Sequence, residues 1–228
     1  MKKIKVKYED LGIIDYKKAW DYQEEKFDEI VEAKKKNFET NNYLLFCEHP
    51  HVYTLGKSGE QNNLLISDEF LKKINATYYK INRGGDITYH GPGQIVGYPI
   101  LNLETLNIGI KEYIHKLEEA IIKTLKAYHL ETERLDGATG VWIDTNKPGE
   151  ARKICAIGVR ASKFVTMHGF AFNVKTDLNY FSYINPCGFT DKGVTSLEKE
   201  LGKEIDFEET KSILRKNIYD IFQIDFIE

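Results

Sequence analysis

The sequence predicts helices packed on a mixed β-sheet, in the α/β (α+β) class. Two segments, near Tyr16–Phe38 and at Ile110–Tyr128, repeat apolar residues at helical spacing. Short apolar runs bounded by turn residues fill the middle of the chain, which is typical of strands. The composition changes only after about Ser196. We therefore expect residues 1–228 to form one domain, with a small C-terminal helical segment from about residue 196.

The first half of the chain is predicted to begin with a strand at Ile4–Tyr8. The helix near Tyr16–Phe38 follows, because large apolar residues stand along it at helical spacing. These residues are Trp20, Phe27, Ile30, Val31 and Phe38. Further apolar runs predict strands at Tyr43–Cys47, Val52–Leu55, Tyr78–Asn82 and Ile95–Leu103.

The second half is predicted to begin with the helix at Ile110–Tyr128, which carries one apolar stripe. The stripe consists of Ile110, Tyr113, Ile114, Leu117, Ile121 and Leu125. Three strands are expected next, at Thr139–Ile143, Ile154–Arg160 and Phe164–Val174. Thr195 and Glu198 have the spacing of a capping box, which predicts a short helix that Gly202 ends. Asp206 is predicted to cap a last helix, running to about Phe222.

Composition excludes several classes of protein. The net charge of −3 argues against a nucleic-acid polycation, so no nucleic-acid partner is predicted. No segment approaches the ~18 apolar residues of a membrane span, and no apolar run follows the basic start, so neither a membrane span nor a signal peptide is predicted. Three cysteines without a C-x-x-C pair argue against a disulfide framework and favour a cytoplasmic location.

The segment Arg83–Gln94 is the strongest candidate for a binding site. It contains four glycines, an arginine and a histidine within twelve residues, between two apolar runs. Glycine allows backbone to approach a ligand without an intervening side chain. The segment therefore predicts a binding floor. Its first eight residues are Arg83, Gly84, Gly85, Asp86, Ile87, Thr88, Tyr89 and His90.

Cys187 is a candidate nucleophile, because Pro186 and Gly188 flank it on a predicted loop. The alternative is a buried, inert cysteine that packs as a small apolar residue. A reactive cysteine needs a neighbouring cation or base, and Lys153, His90 and His168 are the candidates.

Cys47, His49 and His51 stand at alternate positions, and a strand continuing through them would bring all three side chains onto one face, as metal ligands require. Pro50 interrupts the strand, and no fourth ligand stands at a recognised zinc spacing. No metal site and no cofactor are therefore predicted, and His49 is kept with His168 as a possible accessory residue.

Several blocks of sequence, in order between about Tyr43 and Leu197, resemble the lipoyl(octanoyl) transferases. The glycine-rich segment Arg83–Gln94 is the most specific, and Lys153 with Ala156–Arg160 and Pro186–Gly188 extend the resemblance. The remaining blocks are Glu48–Pro50, Tyr53–Gly56, Gly140–Trp142, Thr166–Asn173 and Gly193–Leu197. Each block is short, and their combination is what identifies the family.

The resemblance implies an octanoyltransferase that acts in protein lipoylation and lipoate biosynthesis, on a fold similar to that of biotin and lipoate protein ligases. It implies a cysteine–lysine pair, Cys187 and Lys153, and an acyl-enzyme thioester. The implied donor is octanoyl-acyl carrier protein. The implied acceptors are lipoyl domains of 2-oxoacid dehydrogenase complexes and the glycine cleavage H protein. Implied substrate contacts are Arg83–His90, Ala156, Ile157, Gly158, Gly169, Phe170 and Ala171.

Two positions depart from the family pattern: His51 replaces a common proline, and Cys155 replaces a small residue. Three other functions remain open. An ATP-dependent lipoate or biotin protein ligase would need a nucleotide but no cysteine. A non-catalytic lipoyl-domain-binding protein would need neither Lys153 nor Cys187. A metal-dependent hydrolase would lose its activity on chelation.

Overall fold

The computed structural model describes residues 4–185 and 192–227. In this part of the chain the strands are β1 Ile4–Ile13, β2 Tyr43–Glu48, β3 Val52–Leu55, β4 Thr77–Lys80, β5 Ile87–His90, β6 Gln94–Ile100, β7 Glu133–Leu135, β8 Ala138–Ile143, β9 Arg152–Ser162, β10 Val165–Asn173, β11 Gly193–Val194 and β12 Ile224–Ile227. The helices are α1 Tyr16–Lys35, α2 Asp68–Lys73, α3 Leu103–Leu106, α4 Ile110–Lys126, α5 Leu197–Leu201 and α6 Phe207–Phe222. Two 3₁₀ helices lie at Gln61–Asn63 and Leu178–Tyr183.

The larger sheet runs in the order β12-β1-β2-β6-β10-β9-β8-β7, and β11 pairs with β9. The pairs β1–β12, β1–β2 and β11–β9 are parallel, whereas β2, β6, β10, β9 and β8 pair antiparallel in succession. The mixed sheet with packed helices that the sequence predicts is thus confirmed.

Helix α1 covers one face of this sheet. It buries Ala19, Phe27, Ile30 and Val31 against apolar residues of the central strands, which is the helical spacing seen in the sequence. The helix ends at Lys35 and not at Phe38, because Asn37 adopts a left-handed φ of 55° and leaves the helical path. The side chain of Phe38 is consequently 68% exposed.

Helices α4 and α6 pack on the opposite face. Tyr113, Leu117, Ile121 and Leu125 of α4 are buried in the main core together with residues of α6. Ile110, predicted to belong to the same stripe, lies at the first turn of α4 and is 38% exposed. The core between the sheet and these two helices fixes the strands whose ends form the site.

The C-terminal helices begin where the composition changes, but one cap differs from the prediction. Ser196, and not Thr195, caps α5, because its hydroxyl accepts a hydrogen bond from the Lys199 N–H. The Thr195 hydroxyl instead donates to Glu200. Gly202, at a left-handed φ of 62°, ends α5 as predicted, and Asp206 caps α6.

The smaller sheet, in the order β4-β3-β5, contains a strand that the sequence analysis missed. Strand β5 lies inside the glycine-rich segment and pairs antiparallel with β3. It presents Tyr89 to the rings of His51 and Tyr180, and those two rings stack with centroids 4.1 Å apart. These contacts hold the 3₁₀ helix that precedes the segment 186–191 on this sheet.

None of the helices in residues 4–185 and 192–227 combines the length and apolar character that a membrane crossing requires.

Candidate active site

The glycine-rich segment lies along the outer edge of β9. Strand β8 pairs with β9 only as far as Cys155, and no strand of the described residues pairs with the next part of β9 on that side. The Gly84 N–H donates instead to the Val159 carbonyl over 3.0 Å. A Cβ on Gly158 would stand only 2.9 Å from the Gly84 carbonyl oxygen, so the two backbones meet because glycine stands there. We call this close contact of two backbones the floor, and its role in binding substrate stays a prediction.

Arg83 fixes this floor to the smaller sheet. Its Nη2 donates to the Thr54 carbonyl over 2.6 Å and to the Thr54 hydroxyl over 2.9 Å, while Nη1 donates to the Gly84 carbonyl over 3.0 Å. The side chain is buried, so these hydrogen bonds hold a cation beneath the bare backbone.

The next residues of the segment mainly build the floor. Gly85 has a φ of 85° and is exposed, which explains the glycine there. The Asp86 carboxylate accepts from the Ile87 N–H and from the Asn63 amide. Ile87 and Tyr89 point into the small core, and Thr88 is half-buried between them. Their predicted contacts with substrate stay predictions.

His49 and His90 lie together behind the floor, with ring centroids 5.9 Å apart, and Tyr16 packs against both. His49 bonds the Ile14 carbonyl and the Tyr98 hydroxyl, each over 2.7 Å. His90 bonds the Gln94 side chain over 2.8 Å. Burial lowers the pKa of His49 to about 4 and that of His90 to about 3, so both rings are neutral at pH 7.

His168 anchors the residue that precedes Arg83. Its Nε2 donates to the Asn82 side-chain oxygen over 2.8 Å, and its backbone N–H donates to Gln23 of α1. It adopts a φ of 60° inside β10, and its buried Nδ1 has no hydrogen-bond partner among residues 4–185 and 192–227. Burial, with the nearby charge of Arg83, lowers its pKa to about 3. A ring this difficult to protonate is a poor base near neutral pH, which favours a positioning role over the rival-base hypothesis.

The wall of the site is the part of β9 at Ala156, Ile157 and Gly158, where all three residues are half-exposed. Val159 directs its carbonyl to Gly84, away from β10. Because peptide groups alternate in direction along a strand, the Ile157 peptide groups face the same outer edge.

The three residues predicted from β10 lie behind this wall. Gly169 and Ala171 pair with Gly158 and Ala156. A Cβ on Gly169 would overlap the Gly97 carbonyl of β6, so close strand packing explains that glycine. Phe170 packs its ring on Gly97 and belongs to the main core. Their role as direct substrate contacts stays a prediction.

Lys153 lies at the start of β9, half-buried, with its ammonium 4.6 Å from the centre of the Trp142 ring. On its other side the Thr195 N–H donates to the Lys153 carbonyl over 3.0 Å, and Val194 pairs with it in β11. Strand β11 follows closely on the segment that contains Cys187, which lies outside the described residues. The predicted pairing of Lys153 with Cys187 therefore stays a prediction.

Cys47 and Cys155 are both buried, and burial raises the pKa of each thiol. Neither is suited to act as a thiolate at neutral pH.

The Cys47–His49–His51 motif does not form a ligand set. The Cys47 sulfur lies 3.5 Å from His49 Nε2, but His51 turns to the Tyr89 hydroxyl over 2.7 Å. In residues 4–185 and 192–227, no group of three or more histidines, cysteines and carboxylates is arranged to hold a metal ion.

Sequence reasoning missed three residues that shape the site. The Thr54 carbonyl accepts a hydrogen bond from the Arg83 guanidinium, and the Gln23 side chain accepts one from the His168 N–H. The Trp142 ring lies against the Lys153 ammonium. Trp142 and Thr54 both belong to blocks that carry the family resemblance, and this membership could have marked them as site residues. Gln23, in the middle of α1, gave none.

Comparison with known proteins identifies the family. The lipoyl protein ligase A/B catalytic domain matches residues 15–219. The chain belongs to this family. It is 59% identical over 216 residues to an octanoyltransferase of Parabacteroides distasonis, covering 95% of this chain and 98% of the relative. It is also 59% identical to an octanoyltransferase of Christiangramia forsetii, covering 96% of this chain and 97% of the relative. The chain is thus an acyltransferase of the lipoyl(octanoyl) transferase family, which acts in lipoylation.

Solved structures support the fold. A bipartite lipoate protein ligase from Thermoplasma acidophilum superposes with a TM-score of 0.71 at 16% identity, covering 100% of this chain and 86% of that one. A biotin protein ligase from Aquifex aeolicus gives a TM-score of 0.50 at 13% identity, covering 96% of this chain and 69% of that one. The predicted likeness to biotin and lipoate protein ligases is confirmed at the level of the fold.

Proposed function

We propose that this acyltransferase moves an octanoyl group from octanoyl-acyl carrier protein to a lysine of lipoyl domains, through a thioester on Cys187. The acceptors are the lipoyl domains of 2-oxoacid dehydrogenase complexes and the glycine cleavage H protein. The observation that carries the proposal is Lys153. It lies half-buried at the end of the exposed wall Ala156–Gly158 and next to β11, just after the Cys187 segment.

The first half-reaction exchanges one thioester for another. The Cys187 thiolate attacks the octanoyl carbonyl carbon, a C–S bond forms, and the bond to the carrier sulfur breaks. The Lys153 ammonium stabilises the thiolate before attack and then gives a proton to the departing carrier thiolate.

The second half-reaction forms the amide. The amine of the acceptor lysine attacks the acyl-enzyme carbonyl, a C–N bond forms, and the Cys187 C–S bond breaks. Neutral Lys153 accepts the proton that the amine loses, so the starting ammonium–thiolate pair is restored. The Ile157 N–H, on the outer edge of β9, is the proposed donor to the carbonyl oxygen as it becomes negative.

In this proposal the octanoyl chain, the apolar part of the substrate, binds along the floor. The three buried histidines are neutral, and bare backbone replaces side chains where Gly84 meets Gly158. Burying six methylene groups at ~0.8 kcal/mol each offers about 5 kcal/mol as an upper bound.

The test is the intact mass of the enzyme after incubation with octanoyl-acyl carrier protein, without ATP. We expect one octanoyl adduct on Cys187, released when a lipoyl domain is added. Cys187→Ser should form no thioester and lose nearly all transfer, while Cys47→Ser and Cys155→Ser retain most of it. Full transfer by Cys187→Ser would refute the mechanism, and a requirement for ATP would favour a ligase.

A further inference from the structure

We propose that Trp142 is a positioning residue, which holds the Lys153 ammonium through the face of its indole ring. This inference rests on the proposed role of Lys153 and assigns that role a structural support. Its basis is the local geometry of β8 and β9. A β-bulge, the bare position at Gly140 and the ring of Trp142 together determine where the Lys153 side chain lies.

A β-bulge brings the two residues opposite each other. Val141 pairs with Cys155, but the next residue of β8, Trp142, pairs with Lys153. One step on β8 therefore matches two steps on β9, and Ile154 is the extra residue. Bulges of this kind redirect a side chain next to the irregularity, and they recur beside active sites.

Gly140 provides the path for the lysine stem. It lies two residues before Trp142, on the same face of β8. A Cβ on Gly140 would stand 3.5 Å from both Cδ and Cε of Lys153. The aliphatic stem thus runs across the bare position at Gly140, and the ammonium reaches the ring of Trp142 with a separation of 4.6 Å.

The ring is itself held firmly. Trp142 is only 2% exposed, and its Nε1 donates to the Ala138 carbonyl over 2.9 Å. The Gly140 N–H donates to the buried carboxylate of Glu118 over 3.0 Å, which fixes the strand at that point. A fixed aromatic face attracts a cation, so Trp142 holds the Lys153 ammonium in place.

The first experiment measures alkylation of Cys187 by iodoacetamide against pH, with modification assigned by peptide mass. The reference is Lys153→Met, which should shift the profile to higher pH. Trp142→Leu should reproduce part of that shift, up to about thirtyfold slower alkylation at neutral pH, which corresponds to the strength of a desolvated cation–π contact. Trp142→Phe keeps an aromatic face and should restore most of the wild-type profile.

Two comparisons separate positioning from general damage. Phe27→Leu removes another buried ring beside a cation of β9, because Arg160 lies 5.0 Å from the Phe27 ring. It should lower the melting temperature without shifting the profile. Combining Trp142→Leu with Lys153→Met should add no further shift, since the effect passes through Lys153.

A second measurement leaves Trp142 intact, in case its replacement prevents folding. The chain has two tryptophans, so Trp20→Phe leaves Trp142 as the one reporter of indole fluorescence. We expect a fluorescence change with pH that Lys153→Met abolishes. An identical titration in both proteins would overturn the inference.

The outcomes distinguish this inference from the proposed function. If Lys153→Met leaves the alkylation profile unchanged, the proposed lysine–cysteine pair itself is wrong. If Lys153→Met shifts the profile but folded Trp142→Leu does not, the pair stands and the role of Trp142 is refuted.

Discussion

The floor of the site and the strand end that carries Lys153 differ in their access to water. His49, His90 and His168 are buried behind the floor, and their pKa values fall to about 4, 3 and 3. Lys153 is half-buried at the start of β9 and keeps an aromatic face beneath its ammonium. Buried, neutral histidine rings suit the neighbourhood of an apolar chain, whereas a partly hydrated cation suits thiolate chemistry. Under the proposed function, acyl binding and thiolate chemistry would therefore take place in different parts of the site.

The largest effect is expected at the charged end. Lys153→Gln removes the cation and the proton donor, and we expect transfer to fall by about 10²-fold or more, as when a general acid–base group is lost. Single-turnover acylation from octanoyl-acyl carrier protein measures this effect. Lys216→Gln, an exposed lysine on α6, is the control and should retain its rate. Equal rates for Lys153→Gln and wild type would show that Lys153 takes no part in the transfer reaction.

The second-largest effect on acylation is expected from a substitution in the floor. Gly158→Ala places a Cβ 2.9 Å from the Gly84 carbonyl oxygen, so the glycine-rich segment must move. Overpacking costs about 1–3 kcal/mol, and where that cost falls on the acyl-bound state, acylation slows by about tenfold or more. The rate of acyl-enzyme formation measures this effect.

Gly109→Ala is the matched control, because the described part of the chain, apart from the adjacent residues, places no atom within 4 Å of the added Cβ. It should acylate at the wild-type rate. Unchanged acylation in folded Gly158→Ala would reassign the contact between Gly84 and Gly158 to chain packing alone.

The order of strands and helices was accessible from the sequence because it depends on local periodicity. Strand β3 has the predicted bounds Val52–Leu55, and α4 begins at Ile110 as predicted. Strand β5 was missed because its neighbouring glycines indicated a loop, whereas pairing with β3, distant in sequence, decides its conformation. The capping box failed for a related reason. Thr195 and Ser196 are both good caps, and only the approach of Glu200 to Thr195 separates them.

The site was accessible in part. Bare backbone at Arg83–Gly85 was predictable, because glycine density is a local signal. The state of the histidines was not, because desolvation by α1 and Tyr16 depends on distant segments. Lys153 could be chosen only through the resemblance, since a lone lysine at a strand end carries no local mark.

The dry floor also predicts how stability depends on pH. Above pH 6.5 a buried histidine is neutral in both the folded and the unfolded state. Below that pH the unfolded chain binds a proton that the folded protein excludes, so the free energy of unfolding falls as pH falls towards the folded pKa. Each such histidine contributes up to about 1.4 kcal/mol per pH unit. Urea unfolding at pH 7, 6 and 5 measures this slope.

His49→Gln should make the slope shallower, because one excluded proton is removed while an amide remains near Tyr98 and the Ile14 carbonyl. His115→Gln, at an exposed position of α4, should leave the slope as in wild type. If the free energy of unfolding has the same pH dependence in all three proteins, His49 is hydrated. The difference in access to water between the floor and the Lys153 end would then be smaller than the structure indicates.

The smallest effect is expected from basic surface residues that would dock the acyl carrier protein. Acyl carrier proteins are acidic and this chain is itself net negative, so docking must depend on local basic side chains. Two basic side chains that could serve, Lys34 and Arg152, are already paired with acids. Lys34 lies 2.9 Å from Glu104, and Arg152 lies 2.6 Å from both Asp144 and Glu200. Lys175, Lys199 and Lys203, around a cavity of about 560 Å³ next to α5, are the better candidates.

We expect acylation from octanoyl-acyl carrier protein to slow several-fold as salt rises, because the Debye length shrinks from about 10 Å at 0.1 M to about 3 Å at 1 M. Acylation from a small octanoyl thioester lacks the acidic protein and should change far less. Second-order rates for both donors across a salt series measure the difference. Lys175→Gln should flatten the salt response of the protein donor, whereas Lys34→Gln should leave it unchanged. If both donors respond equally to salt, docking does not depend on charge, and the binding of donor must rest on the acyl chain alone.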